Sequence, residues 1–299
     1  MKEFRQIEHE FNPKDLATPP AAGFNFFQGI KTYKLNTKDN KFNKSNAWIM
    51  SNMAWLVYIK DKKYIKTQLK QAGFFNTKFF DCDGSQAFIT YTKKVIIVAF
   101  RGTEPFDDPI DILTDMNFIP TKWKLGGYVH NGFKSAFYKI WFEIKKELNK
   151  SKNLKIYWAG HSLGGALAHI AASEYGGECI YTIGCPRVGS RKFINTIKIP
   201  SYRVVNMRDI VPKIPPIFPF MYRHVGDTIY IDHIGNLLIN PPWFNKLFQK
   251  LGGSWIAILF FLINSVWGSR LSIILNYISD HNPQNYTAKL WNAIPEKKF

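Results

Sequence analysis

The chain has 299 residues, of which 46% are hydrophobic and 16% aromatic, which suits one substantial core rather than several large domains. Its 40 Lys and Arg against 22 Asp and Glu leave a net charge of +18. No nucleic-acid-binding motif accompanies that charge, and the lysines are spread among abundant Asn and Ile, as AT-rich codon usage also produces, so no nucleic acid partner is expected and an anionic membrane surface fits better. The cysteines, Cys82, Cys179 and Cys185, are odd in number and lack metal-ligand spacing, which argues against a disulfide framework or a zinc site.

In chain order, the opening MKEFRQIEHEFNPKDLATPP has charge and proline where an export signal needs an apolar run. With Pro13, Pro19, Pro20 and Gly23 it reads as an extended arm, residues 1–44. NAWIMSNMAWLVYI at 46–59 has the pattern of a helix, and a Lys-rich helical stretch follows to Gly73. AFITYT at 87–92 and KVIIVAF at 94–100 read as a strand pair. From 131 to 148, Phe133, Phe137, Ile140, Trp141, Ile144 and Leu148 share one face, as in a helix laid on a sheet. A strand at 153–159, a helix at 163–175, a strand at 179–184, a short helix near 190 and a strand at 201–206 complete the alternation. Such alternation predicts a mainly parallel sheet with helices on both faces.

Residues 157–170, YWAGHSLGGALAHI, place Ser162 at a strand-to-helix corner between Gly160 and Gly164. Glycines there avoid the Cβ clashes of so sharp a turn and leave the serine hydroxyl exposed above the sheet, where it can act as a nucleophile. A serine needs a histidine to take its proton and a carboxylate to hold that histidine. Asp209 follows a strand in a loop stiffened by Pro212, Pro215 and Pro216, although an ordinary turn-capping Asp fits that position equally. Beyond it in the chain stand His224, His233 and His281. His224 and His233 flank a strand-like alternation and suit structural roles, whereas His281 lies in a polar loop between two helical patterns and is free to reach the corner. His161, next to Ser162, reads as structural. The backbone N–H of Leu163 is an oxyanion donor by its place in the elbow. Thr103, at the turn after FRG, is the second candidate, with a plain β-turn as the other reading.

The segments AFITYTKKVIIVAFRGTEPFDDPIDILTD, YVHNGF, GHSLGG, GCPRVGS, NMRDIVPKIPP, YRHVG and DHNPQNY occur in the order and spacing of the class 3 (fungal-type) lipases. The chain resembles that family across residues 45–291, and its Gly-Thr-Glu-Pro turn and late insertion are similar to the plant oil-body triacylglycerol lipases. The resemblance implies an α/β-hydrolase fold over 45–299, with Ser162 as nucleophile, Asp209 as acid, His281 as base, and Thr103 and Leu163 as oxyanion donors. It also implies a lid at 104–116 ending at Asp115, where Ile112 replaces the usual tryptophan, while Cys185 replaces a polar residue before PRVG. The activity implied is hydrolysis of acyl esters of triacylglycerol or related glycerolipids, with no metal or organic cofactor. Phospholipase A1 or monoacylglycerol lipase chemistry would use the same machinery, and a lipid-surface protein with a dormant hydrolase fold is the non-enzymatic alternative.

The insertion at 242–278 is apolar. Its start sets Trp243, Phe244, Leu247, Phe248 and Leu251 opposite Asn245, Lys246, Gln249 and Lys250, the pattern of an interface-seeking helix. The run from Trp255 to Trp267 is shorter than the roughly 20 residues of a bilayer span. A helical hairpin in a lipid monolayer fits it, as does a buried core helix. A cytoplasmic protein peripherally attached to a membrane or lipid droplet is the expectation.

Overall fold

The computed structural model describes residues 26–102, 118–151, 153–207, 209–219, 221–232, 234–242 and 280–295. The expected lid and oxyanion residue Thr103, the histidine His233 and all of the insertion beyond Pro242 lie outside the described residues.

Helix α1 (Lys44–Leu56) starts where the Asn43 side chain accepts the Asn46 N–H, an N-cap that also satisfies an orphan donor. It is buried nearly all round, Trp48 and Trp55 included. Helix α2 (Lys62–Gln71) is capped by Asp61 and buries only Ile65 and Leu69. Three antiparallel strands follow: β1 (Phe75–Cys82), β2 (Ser85–Tyr91) and β3 (Val95–Phe100). The first two are joined by Asp83 and Gly84, both at positive φ, as the tight Asp-Gly hairpin requires. Strand β1 was not expected from the sequence, because it is an edge strand with largely exposed or half-exposed residues.

After the small pair β4 (Pro120–Lys122) and β5 (Tyr128–His130) comes helix α3 (Asn131–Leu148). His130 caps it, its Nδ1 accepting the Phe133 N–H, and the predicted apolar face is the buried one. Strand β6 (Lys155–His161), helix α4 (Leu163–Tyr175), strand β7 (Cys179–Ile183), the short helix α5 (Arg191–Ile194) and strand β8 (Ser201–Asn206) continue the wind. The described chain ends with β9 (Asp227–Ile231), β10 (Leu237–Ile239) and helix α6 (Pro283–Ala293).

The eight-stranded sheet has the order β1-β2-β3-β6-β7-β8-β9-β10. It is parallel from β3 through β9 and antiparallel at both ends. One core lies on the face covered by α1, α2 and α6, the other under α3 and α4. Part of the expected arm belongs to the first core. Phe26 and Phe27 are buried there, with the Phe26 ring 4.8 Å from Trp55, and Tyr33 meets Trp291 edge-on. The parallel register brings the carboxyl ends of β3, β6, β7 and β8 to one edge, where a doubly wound sheet places its site.

Candidate active site

Ser162 joins β6 to α4 with φ 55° and ψ −129°, a conformation that costs an L-residue on the order of 1–3 kcal/mol. Surrounding contacts impose it: Ser162 N–H donates to the Ile183 carbonyl at 3.0 Å, and the Ser162 carbonyl accepts from Gly165 N–H at 2.9 Å. A Cβ on Gly160 would collide with the Gly164 backbone, and one on Gly164 with the Phe100 carbonyl. The glycine pair thus lets α4 descend onto β3 and β6 with the serine at the apex. Leu163 is the first residue of α4, and N–H groups of a first helical turn have no helical acceptor.

Asp209 lies three residues past β8 and is fully buried. Its Oδ2 accepts from His281 Nδ1 at 2.8 Å and from Tyr286 Oη at 2.6 Å, and its Oδ1 accepts from Val211 N–H at 2.9 Å. Because Nδ1 of His281 donates to the carboxylate, Nε2 carries the lone pair and is the basic nitrogen. The His281 side chain retains 17% exposure. Asn282 caps α6 with its side chain, which fixes the turn that carries His281. The imidazole packs on Gly184, at φ +57°, where a Cβ would lie 2.9 Å from Nδ1 and 2.8 Å from Asp209 Oδ2. Its ring stands 4.4 Å from that of His161, the neighbour of Ser162 in the chain. The structure thus brings Ser162, Leu163, Asp209 and His281 to one corner of the sheet edge. No hydrogen bond joins Ser162 to His281 among the described residues, and such contacts often tighten only around a bound substrate.

The other described histidines are engaged elsewhere. His169 Nε2 meets Ser201 Oγ at 2.8 Å in the core. His224 bonds the Pro212 carbonyl and lies in a cationic interior pocket, where burial and then Arg203 and Arg187 drive its pKa far down. Tyr286 and Gly184 were not singled out in the sequence. Tyr286 sits one helical turn beyond Asn282 in the motif DHNPQNY, the periodicity that would have returned it to the side of His281.

Residues 97–218 match the family model of class 3 lipases. The chain is 36% identical over 155 residues to a lipase of Rhizopus niveus, an alignment covering 46% of this chain and 39% of that protein. It is 31% identical over 191 residues to the triacylglycerol lipase OBL1 of Nicotiana tabacum, covering 51% of this chain and 33% of that one. The chain therefore spans less than half the length of these curated relatives. Among solved structures, a lipase from Rhizopus microsporus var. chinensis superposes with a TM-score of 0.50 at 28% identity, covering 72% of this chain and 76% of that one. Lipase II of Rhizopus niveus gives a TM-score of 0.51 at 28% identity, with 62% and 77% covered. Residues 97–218, running from β3 through the elbow to the loop beyond Asp209, match the class 3 lipases, and the chain that carries them has the α/β-hydrolase fold of the solved lipases.

Proposed function

We propose that the protein is a serine esterase that hydrolyses acyl esters of triacylglycerol or related glycerolipids. The observation that carries this reading is the 2.8 Å contact of His281 Nδ1 with Asp209 Oδ2 beside the strained elbow of Ser162. Ser162 Oγ attacks the ester carbonyl while His281 Nε2 takes its proton, and Asp209 supports the imidazolium that forms. The Leu163 N–H holds the oxyanion, with Thr103 supplying the second donor. His281 then returns the proton to the departing alcohol, and water, activated by the same nitrogen, releases the acid from the acyl-enzyme.

The substrate class rests on the relatives and on exposed apolar side chains of the surface. Tyr222 Oη donates to the Phe118 carbonyl at 2.9 Å and so ties two loops together. Their tips expose Ile119, Met221 and Phe218, the last at 80%, apolar side chains suited to a lipid interface. The proposal extends to attachment at a membrane or droplet surface on the cytoplasmic side through residues 242–278. A fluorophosphonate probe should label wild type at Ser162, and Ser162→Ala should lose on the order of 10⁴-fold or more in turnover of a short-chain ester. Undiminished turnover by that variant would remove the assignment.

A further inference from the structure

His161 closes β6 and is 3% exposed. Its Nε2 lies 2.7 Å from the backbone carbonyl oxygen of His281. A carbonyl only accepts, so Nε2 carries the proton. Burial, then the adjacent His281 ring, holds His161 far below the ordinary histidine range. The neutral ring leaves Nδ1 as an acceptor, and the Tyr58 hydroxyl donates to it at 2.9 Å. Tyr58 is itself buried, and desolvation keeps its phenol protonated. Its oxygen takes the N–H of Gly102, at the turn after β3, and the Arg101 guanidinium lies 5.3 Å from its ring centroid. A Cβ on Gly102 would meet that phenol oxygen and lie 3.2 Å from Ser162 Cβ.

A continuous chain of donors therefore runs from the strand end at Gly102, through Tyr58 and His161, to the main chain of His281. Its middle member is bonded in sequence to Ser162. We infer that His161, oriented by Tyr58, is a positioning residue that fixes the main chain of His281 to the nucleophile elbow, so that base and serine are held in register. The inference rests on the hydrolase reading above for its catalytic consequence, but the contact itself does not. A buried histidine that merely filled space would contribute to stability without separating kcat from KM.

The test compares His161→Gln, His161→Leu and Tyr58→Phe in the full chain, using a soluble short-chain ester. The Gln side-chain amide reaches the carbonyl that Nε2 now holds, whereas Leu has no donor. His161→Leu should lower kcat by about 10²-fold with KM within about twofold, the signature of a misplaced catalytic group. His161→Gln should stay within about tenfold of wild type, and Tyr58→Phe, which frees the ring but leaves its donor, should fall between. The downfield proton resonance of the Asp209–His281 hydrogen bond should persist in the Gln variant and broaden or vanish in the Leu variant. If Leu does not fold, His161→Asn, polar but too short to reach the carbonyl, takes its place with the same expectation. Equal losses in the reaching and non-reaching variants, or an unaltered resonance in both, would overturn the inference. Undiminished turnover by Ser162→Ala refutes the hydrolase reading instead, and the resonance then still judges the His161 contact.

Discussion

Tyr286 Oη lies 2.6 Å from Asp209 Oδ2, the oxygen that also accepts from His281 Nδ1, and takes the Asn206 N–H at 2.8 Å on its other side. Burial, followed by the Asp209 charge, raises the phenol well above its usual range, so Tyr286 remains a donor at every pH of interest. Tyr286→Phe removes that donor and leaves a buried N–H without its acceptor, which costs about 1–3 kcal/mol. Urea unfolding should show that loss. Since His281 and Val211 still hold Asp209, kcat should fall by less than about tenfold, against roughly 10⁴-fold for Asp209→Asn, where the tautomer control is lost. Equal effects of the two substitutions would contradict this division of labour.

Gly184 is the floor on which the Asp209–His281 pair rests. Alanine there would combine φ +57° with contacts of 2.8 Å to Asp209 Oδ2 and 2.9 Å to His281 Cε1 and Nδ1. The backbone term alone is about 1–2 kcal/mol, and the side chains must move by a few tenths of an ångström. Gly184→Ala should therefore reduce kcat on a soluble ester by about 10- to 100-fold with KM nearly unchanged. Steady-state kinetics decide it, and wild-type kcat would show that the pair tolerates displacement.

Much of this architecture is legible in the sequence, for physical reasons that differ by element. Helix α3 occupies the predicted residues because its apolar periodicity matches the face it buries, whereas helix α4 and strand β8 occupy theirs as interior elements buried nearly throughout. Ser162 was legible because its strained turn demands local glycines. Asp209 and His281 required an ordering argument, since 72 residues separate the partners of one hydrogen bond. Gly184 has no local signal of its role, and Tyr286 has only its helical spacing from Asn282: each matters through what a distant segment places against it. Phe26 and Phe27 fall within the predicted arm for the same reason. Their burial depends on the Trp55 and Phe74 rings, which periodicity within 1–44 does not reveal.

Stability should fall in mild acid. Burial lowers His161, His169 and His224, with His281 adding to the first, Arg203 to the second, and Arg203 and Arg187 to the third. In the unfolded chain a histidine protonates near ~6.5. The stabilisation is therefore complete above that pH and is lost below it, down to the folded values, about 3 for His169. While only the unfolded state is protonated, each histidine removes about 1.4 kcal/mol per pH unit. Carboxylates remain largely ionised between pH 6.5 and about 5, so melts in that window report the histidines. Melting temperature should be flat from about pH 8 to 7 and decline below about 6.5, less steeply in His169→Gln. A profile unchanged down to pH 5 would mean that these imidazoles charge readily in the folded state.

The insertion should govern where hydrolysis occurs rather than whether it occurs. Its ends are informative: the described chain leaves after β10, where Leu238 and Ile239 are exposed, and returns at Asp280, whose carbonyl accepts from Asn206 Nδ2 at 3.1 Å next to His281. The segment between them thus starts at a sheet edge and finishes next to His281. In its opening part Trp243, Phe244, Leu247 and Phe248 share one helical face by spacing, each contributing up to ~1.5–3 kcal/mol if fully buried among acyl chains. Lys246 and Lys250, on the opposite face, would add about 1 kcal/mol each at an anionic surface. Leu247→Asp with Phe248→Asp should then release the protein from anionic liposomes and emulsion droplets in a flotation assay. Hydrolysis of long-chain triacylglycerol should fall with it, while turnover of a soluble short-chain ester is kept. Loss of both activities together with a lowered melting temperature would show that the segment packs in the core, and that the lipid surface is met by the loops bearing Ile119, Phe218 and Met221 instead.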